Sequence, residues 1–285
     1  MKKISWLALC AAAALSFNAH AAPDRAGDFT LLDHTGKAHQ LAKYGYADAV
    51  VIISHQVGCN ANQENIARYK QLRTNWGHRN VQFVMLNAKP EDNRAAIVAE
   101  EEIWRYDFPI LDDETQLVAE ALGITHAGQV LVVDPNRLNV LYRGPLPVNP
   151  ARAELGEVLE AIVAEDADSR NMETVNVALE DGCELSFPAR DRHMAEVPDY
   201  ETEVAPILIE RCVGCHVEGG IGPFAMNSHM MVQGWSPMIR EVMMTGRMPP
   251  MQVDPNVGSW INSGNMPIEE RQKVIHWINA GAPRN

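Results

Sequence analysis

The 285-residue chain is 46% hydrophobic and 21% charged, a composition typical of globular proteins that excludes a disordered or collagen-like chain. Its length predicts about two domains. A formal net charge of -13 disfavours nucleic acid or an anionic membrane as the main partner, so we expect protein or small-molecule partners.

The N-terminus has the pattern of an export signal. Two lysines precede an apolar run over residues 4–17, and Ala19-His20-Ala21 offers the small residues that signal peptidase requires. The run is shorter than the roughly 20 apolar residues of a membrane-spanning helix. We therefore expect residues 1–21 to be removed, leaving a mature protein in the periplasm of a Gram-negative type of cell, without a transmembrane anchor.

Residues 22–165 alternate between strand and helix patterns. The continuous β-branched run at 49–54 is typical of a strand that is covered on both faces. Such alternation predicts an α/β domain in which helices cover both faces of a mixed sheet. In chain order, we predict strands at 29–33, 49–54, 81–86, 130–133 and 140–143, and helices at 62–76, 95–106, 116–122 and 155–163.

The strand pattern disappears in the second half of the chain. Residues 166–200 are polar without a sustained period and are predicted to be a linker. Residues 201–285 predict a small all-α domain, with a helix at 204–211, a helix that begins at Ser236-Pro237 and a last helix at 267–280. A domain of this size is small for a core of side chains alone, so we expect a large buried cofactor.

The most specific motif is Cys212-Val213-Gly214-Cys215-His216. Two cysteines three apart and followed directly by histidine are typical of the covalent attachment of one haem c. The thiols of Cys212 and Cys215 would bind the porphyrin, and His216 would be an axial ligand of the iron. A disulfide or a structural zinc site is the alternative, although zinc needs two more ligands and residues 201–285 offer only His229 and His276.

These residues resemble a class I cytochrome c, in which a helix leads into the motif, a Gly-Pro pair follows it and a C-terminal helix crosses the first. The pair here is Gly222-Pro223. The resemblance implies that the carbonyl of Pro223 accepts the Nδ1 proton of His216 and makes the imidazole a better ligand. The alternative is that Pro223 is a simple turn residue.

A methionine is the expected sixth ligand of the iron. Met248 in Arg-Met-Pro-Pro resembles the distal ligand of related cytochromes, with Met251 and Met244 as the next candidates. The alternative role for any of these methionines is to fill the core. Arg240 and Arg247 either pair with the haem propionates or are solvated surface residues.

Cys59 follows the predicted strand at 49–54 and precedes a helix, which is the order of the thioredoxin superfamily. Residues 28–165 resemble thioredoxin-like redoxins of the thiol peroxidase and disulfide reductase type. Asn62 stands where a redox dithiol has its second cysteine, and Ile52 and Gln56 replace the proline and threonine of a peroxidase. His126-Ala127-Gly128 replaces the expected cis-proline segment, so dithiol exchange within this domain alone and ordinary peroxidase activity are both disfavoured.

Two states of Cys59 remain open. It forms a disulfide with Cys183, which we favour because leftover cysteines of exported proteins tend to pair, or it stays a reactive thiol. His55 and His126 would tune Cys59 if the fold brings them close, and otherwise they are ordinary histidines.

The whole arrangement resembles bacterial redoxin-cytochrome c fusions, also named thiol-disulfide isomerase-like proteins. The resemblance implies a periplasmic c-type cytochrome that carries single electrons through His216 and Met248. The redoxin domain would be a docking module or thiol partner, and a periplasmic redox protein would donate or accept the electrons. Two alternatives stay open, a thiol-disulfide oxidoreductase in which Cys59 and Cys183 are coupled to the haem, and a metal-delivery or assembly factor. Whether the chain is an enzyme depends on these two cysteines.

Overall fold

The computed structural model describes residues 24–147, 154–164, 172–179 and 181–284, and the predicted signal peptide at 1–21 lies outside these ranges. The strands in this part of the chain are β1 Thr30–Asp33, β2 Ala38–Gln40, β3 Ala49–His55, β4 Val81–Asn87, β5 Ile110–Asp112, β6 His126–Ala127, β7 Gln129–Asp134, β8 Asn139–Pro145, β9 Val175–Asn176 and β10 Cys183–Glu184. The α-helices there are α1 Asn60–Glu64, α2 Ile66–Trp76, α3 Arg94–Trp104, α4 Leu117–Leu122, α5 Glu154–Val163, α6 Pro188–Ala195, α7 Ala205–Leu208, α8 His229–Met244 and α9 Ile268–Asn279. Within these ranges, every helix is too short or too polar to cross a bilayer.

The centre of the fold is a mixed sheet, as the sequence predicts. Within the described residues its strand order is β2-β1-β5-β4-β3-β7-β8-β9. Strand β3 runs parallel to β4 and antiparallel to β7, and all its residues are buried. The β-branched side chains of β3 fit this position because a central strand with both faces covered needs apolar residues throughout.

Apolar side chains on the central strands alternate between two cores. On β3, Val51 and Ile53 face the core that includes α2 and α5, whereas Val50 and Ile52 face the opposite core. The opposite core also contains side chains of the C-terminal helices, namely Val232, Ile239, Met243, Val274 and Trp277. The sheet therefore supplies part of the apolar surface against which the C-terminal helices pack, and a buried cofactor in this part stays a prediction.

The segment predicted as a linker contributes regular structure to the fold. Strand β9 extends the main sheet by pairing in parallel with β8. Strand β10 forms a separate two-stranded sheet with β6, in which Cys183 stands opposite Ala127. Helix α6 follows directly and packs against α9.

The C-terminal part is helical, but helix α8 begins seven residues earlier than the sequence predicts. Ser228 caps the helix by accepting a hydrogen bond from the Met231 amide, and Pro237 lies inside the helix. The sequence predicts a start at Ser236-Pro237 because Ser-Pro is typical of a helix N-terminus. This prediction is wrong, since the pair lies inside α8. Burial of Val232 and Ile239 on one stripe of α8 offsets the hydrogen bond that Pro237 cannot donate.

Candidate redox sites

Cys59 and Cys183 form a disulfide, which confirms the favoured pairing. Their Cα atoms are 6.0 Å apart, although 124 positions separate them in the chain. Cys59 is the residue that precedes α1, and only 1% of it is exposed. Cys183 lies on β10 and is partly exposed, so the Cys183 side of the disulfide is the one nearer to solvent.

Strand β10 brings Cys183 to Cys59 by pairing with β6. The Leu185 amide donates to the Thr125 carbonyl at 2.9 Å, and Glu184 stands opposite His126, so His126 lies beside the disulfide strand. Gly182 allows the close approach, because a Cβ atom at this position would stand 2.7 Å from the Ala127 carbonyl oxygen. Gly182 also has a φ of +151°, which side chains rarely adopt.

Buried polar side chains hold the loop that carries Cys59. The Val57 amide donates to Asp92 at 2.7 Å, and the Gly58 amide donates to Glu100 at 3.1 Å. Asn62 donates to the Ser54 carbonyl at 2.9 Å. Asn62, which stands where a redox dithiol has its second cysteine, thus helps to hold the loop in place. Sequence reasoning missed Asp92 and Glu100 because no local motif marks either of them.

His55 and Glu100 face each other in this cluster. His55 is fully buried, and its Nε2 lies 3.3 Å from Oε2 of Glu100. Oε1 of Glu100 also accepts a hydrogen bond from Gln63 at 2.9 Å. Burial alone would raise the pKa of Glu100, but the interactions with His55, Gln63 and the Gly58 amide outweigh burial and lower it. Glu100 is therefore ionised.

The motif at 212–216 forms a helical turn that leads out of the helical segment at 200–213. The thiols of Cys212 and Cys215 are both free, and the second is exposed. Burial raises the pKa of the Cys212 thiol to about 11, against an opposing effect of Arg211, so this side chain is a neutral thiol. The His216 amide donates to the Cys212 carbonyl at 3.0 Å, which places the cysteines and the histidine on one helical turn.

His216 is buried, and its Nδ1 lies 3.0 Å from the carbonyl oxygen of Phe224. The expectation that Pro223 accepts this hydrogen bond is wrong by one residue. The Met226 amide donates to the His216 carbonyl at 2.8 Å, and this contact aligns the returning chain so that Phe224 offers its carbonyl. Because a carbonyl only accepts, Nδ1 carries a proton, so the lone pair of the neutral imidazole lies on Nε2.

Small and aromatic residues shape the surroundings of His216. A Cβ atom at Gly222 would stand 2.7 Å from Nδ1 of His216, so this position requires glycine. The Phe224 ring packs against His216, with ring centroids 4.9 Å apart, and stacks on Trp235 at 4.6 Å.

The three methionine candidates lie in different surroundings. Met244 is buried in the core, Met248 is 39% exposed and Met251 is 74% exposed. Met248 lies just beyond α8, and its amide donates to the Val242 carbonyl at 3.1 Å. The following loop packs tightly, since a Cβ atom at Gly264 would stand 1.8 Å from the Pro250 carbonyl oxygen. The role of Met248 as an iron ligand stays a prediction.

The two arginine candidates have partners within the protein. Arg240 donates to Asn279 at 2.9 Å and lines a cavity of about 520 Å³ beside Gly27. Arg247 donates to Thr245 at 3.1 Å and pairs with Glu241. Their contacts with haem propionates stay predictions.

The alternative of a zinc site finds no support in the part of the chain that the structure describes. There, no three histidine, cysteine or acidic side chains are grouped as metal ligands. His229 Nε2 lies 3.0 Å from the Ala282 carbonyl oxygen, and His276 Nε2 lies 2.8 Å from Glu120.

Comparisons with known proteins find similarity in the N-terminal part. Residues 22–141 match the model of the AhpC/TSA family. Similar solved structures include a hypothetical protein from Sinorhizobium meliloti 1021, with 24% identity over 59% of this chain and 94% of that chain and a TM-score of 0.46. The peroxidoxin BcpB from Mycobacterium tuberculosis is 18% identical over 53% of this chain and 97% of that chain, with a TM-score of 0.38. The thioredoxin domain of a thiol-disulfide oxidoreductase from Bacteroides vulgatus is 14% identical over 50% of this chain and 98% of that chain, with a TM-score of 0.41. No curated protein matches the chain.

The family match confirms the redoxin part of the resemblance that the sequence predicts. It ends at residue 141, before Cys183 and before the motif at 212–216. Residues 22–141 thus resemble the AhpC/TSA family, and the described residues 24–141 have a thioredoxin-like α/β fold, followed by a C-terminal part that is helical in α8 and α9.

Proposed function

We propose that the protein is a thiol-disulfide oxidoreductase that uses Cys59 and Cys183 as its redox pair. One observation carries the proposal. The disulfide links the cysteine in the active position of a redoxin domain to a cysteine on β10, a strand of two residues. So short a pairing leaves Cys183 free to separate from Cys59 after reduction, whereas Cys59 stays fixed by its loop.

The exchange balances with a dithiol partner. A thiolate of the partner attacks the more exposed sulfur, that of Cys183, and the bond to Cys59 breaks. Cys59 takes up a proton as it leaves. The second thiol of the partner then attacks the mixed disulfide and releases Cys183. The partner becomes a disulfide, and this protein gains two electrons and two protons.

The test is equilibrium with a dithiol buffer, followed by trapping of free thiols and non-reducing mass spectrometry. The proposal expects the Cys59–Cys183 disulfide to open and close reversibly, and Cys59→Ser or Cys183→Ser to abolish reduction of a disulfide substrate. Asn60→Ser, at the exposed neighbouring position, is the matched control and should keep full activity. A disulfide that stays closed in the folded protein at every dithiol concentration would show that the bond is structural.

We propose a second role for the C-terminal part, the covalent attachment of one haem c at Cys212 and Cys215 with His216 as an axial ligand. Haem c exchanges single electrons when bound. The support is the donor set, with two free thiols on one turn and an imidazole whose Nδ1 is held by the Phe224 carbonyl, so that Nε2 is the nitrogen available to the iron. Most exposed large apolar side chains of the described residues also lie between residues 209 and 268, where they would cover a porphyrin. Met248 is the proposed sixth ligand.

The haem proposal has its own test. The protein, purified from the periplasm of a host with haem-ligation machinery, should carry the added mass of one haem on the peptide that contains Cys212 and Cys215. Met248→Ala should remove the near-infrared sulfur-to-iron band, and Met251→Ala should keep it. A colourless product without added mass refutes the haem role and leaves the disulfide proposal standing.

The Cys59→Ser variant separates the functions. For a pure electron carrier, the haem potential and electron exchange with a partner stay unchanged. For a coupled oxidoreductase, the state of Cys59 and Cys183 shifts the haem potential. Stoichiometric copper binding that is lost with Cys59 would instead favour metal delivery.

A further inference from the structure

The cluster behind Cys59 contains more buried polar atoms than the loop needs for its hydrogen bonds. Three of these atoms, Ser54 Oγ, Tyr69 OH and Tyr106 OH, are buried without a hydrogen-bond partner, and His55 Nε2 and Glu100 Oε2 are buried 3.3 Å from each other. A buried polar atom that loses its hydrogen bonds to water without gaining a partner lowers the stability of the fold. A cluster with this cost next to a redox disulfide indicates a chemical role.

The hydrogen-bond network fixes the protonation state of His55. Its Nδ1 lies 3.2 Å from Nδ2 of Asn87. The orientation of that amide is set, because Nδ2 also donates to Asp92 at 2.9 Å while Oδ1 accepts from the Lys89 amide at 3.0 Å. Nδ1 of His55 therefore accepts, and the ring proton lies on Nε2, directed at Glu100. His55 is neutral, and the negative charge of the pair stays on Glu100.

The groups that face Glu100 leave this charge without a cationic partner. Helix α1 contributes the neutral Gln63, and Tyr69 of α2 and Tyr106, which follows α3, are uncharged at neutral pH because burial raises the pKa of both phenols. Asp92, which precedes α3, adds a second carboxylate that accepts from the Val57 amide. Strand β10 contributes Glu184, which is exposed. In the described residues, Glu100 has no ion pair with lysine or arginine.

We propose that Glu100 keeps the proton on Cys59 when the disulfide is open, an inference that rests on the proposed thiol-disulfide function. The Glu100 carboxylate accepts a hydrogen bond from the amide of Gly58, the residue before Cys59, so a thiolate on the buried Cys59 sulfur would form one residue away from this fixed charge. Two like charges in a low-dielectric interior repel strongly, so Cys59 is released as a thiol. Reduction of the disulfide then takes up two electrons and two protons, both supplied by a dithiol. Glu100 acts here as a positioning residue.

The experiment uses full-length protein with Cys183→Ser, so that Cys59 is a free thiol. Alkylation by iodoacetamide is followed by mass spectrometry of the Cys59 peptide between about pH 6 and pH 9, because only the thiolate reacts. Glu100→Gln should speed alkylation near pH 7 by about tenfold, since it removes the repelling charge. Glu100→Asp should restore the slow rate. Glu102→Gln, the same change at an exposed position of α3, should have no effect. Equal rates in Glu100→Gln and its parent would overturn the inference.

A second measurement needs no variant of Glu100. In the protein with both cysteines, the pH dependence of the equilibrium with a dithiol buffer gives the number of protons taken up per disulfide opened. Two protons should be taken up at neutral pH, and one should still be taken up above about pH 8.5, the ordinary pKa of cysteine, where the more exposed Cys183 ionises. A fall toward zero protons near that pH would show that Cys59 ionises as well and would contradict the role of Glu100 alone. A disulfide that does not open at all would contradict the proposed function instead.

Discussion

At the scale of single residues, glycine determines the geometry around His216. Gly222 lies against the imidazole, and a Cβ atom there would stand 2.7 Å from Nδ1. We expect Gly222→Ala to displace the ring from the Phe224 carbonyl and to lower the free energy of unfolding by about 1–3 kcal/mol. Urea unfolding measures the loss, and nitrogen NMR of the imidazole reports whether Nδ1 keeps its proton.

Gly214 is the matched control for this prediction. It lies within the same motif, and an added Cβ atom would meet nothing within 4 Å. Gly214→Ala should therefore leave the His216 tautomer unchanged. If both variants behave like the parent protein, the contact between Gly222 and His216 does not constrain the ring.

Asp113 is one of two neighbouring carboxyl groups through which stability should depend on pH, since burial raises the pKa of Asp112 to about 7 as well. Burial raises the pKa of Asp113 to about 7, although hydrogen bonds from the Ala119 amide and Thr115 oppose the shift. The unfolded chain releases this proton near the ordinary value of 3.8, whereas the native state holds it until about 7. The stabilisation is thus complete at acidic pH and is lost as the pH rises through the native pKa.

Between pH 5 and pH 8, titration of Asp113 should lower the free energy of unfolding by on the order of 2 kcal/mol. Asp113→Asn should flatten this part of the pH dependence when urea unfolding is measured at both values. Asp181→Asn, at an exposed position, is the control and should reproduce the slope of the parent protein. An unchanged slope in Asp113→Asn would mean that another group is responsible.

At the scale of elements, the sequence predicts those with a strong local pattern. The apolar runs of β3 and β4 and the periodic stripes of α2 and α9 are visible in the chain because burial repeats with the geometry of each element. Strands β9 and β10 contain two residues each and exist only through pairing with distant segments, so no local period marks them. The site residues divide in the same way. Cys59 and the motif at 212–216 are predicted from their local pattern, whereas Glu100 reaches the Cys59 loop only through contacts distant in the chain.

Strand β10 gives the prediction that belongs to this scale. Gly182→Ala would place a Cβ atom 2.7 Å from the Ala127 carbonyl and should push β10 away from β6. Because β10 carries Cys183, we expect a smaller oxidised fraction of the Cys59–Cys183 pair at a given glutathione ratio, measured by thiol trapping and mass spectrometry. Asp181→Ala changes the exposed neighbouring residue and should leave the oxidised fraction unchanged. Equal oxidised fractions in Gly182→Ala and the parent would show that the pairing with β6 does not position Cys183.

At the scale of the whole molecule, the N-terminal sheet and the C-terminal helices pack together, so we expect them to unfold as one cooperative unit. They share a core, and buried polar contacts cross between them. Arg94 at the start of α3 pairs with Asp254 at 2.6 Å, and both side chains are largely buried. His276 of α9 pairs with Glu120 of α4 at 2.8 Å. The sequence predicts two domains joined by a linker. It does not reveal the contacts between them, because contacts between segments more than 150 positions apart leave no local pattern.

A substitution in the C-terminal part should therefore weaken the redoxin sheet. Ile239 on α8 is 3% exposed and belongs to the core that contains Val50 and Ile52 of β3. We expect Ile239→Ala to lower the free energy of unfolding by about 2–5 kcal/mol, as a cavity in a shared core does. Hydrogen exchange should show the same loss of protection for the amides of β3 and of α8, because one cooperative unit opens as a whole. Ile261→Ala is a chemically identical change at a position that is 92% exposed. It should leave the free energy of unfolding and the protection of the amides in β3 and α8 unchanged. If protection falls in α8 while the amides of β3 keep theirs, the two parts unfold independently and the shared core does not couple them.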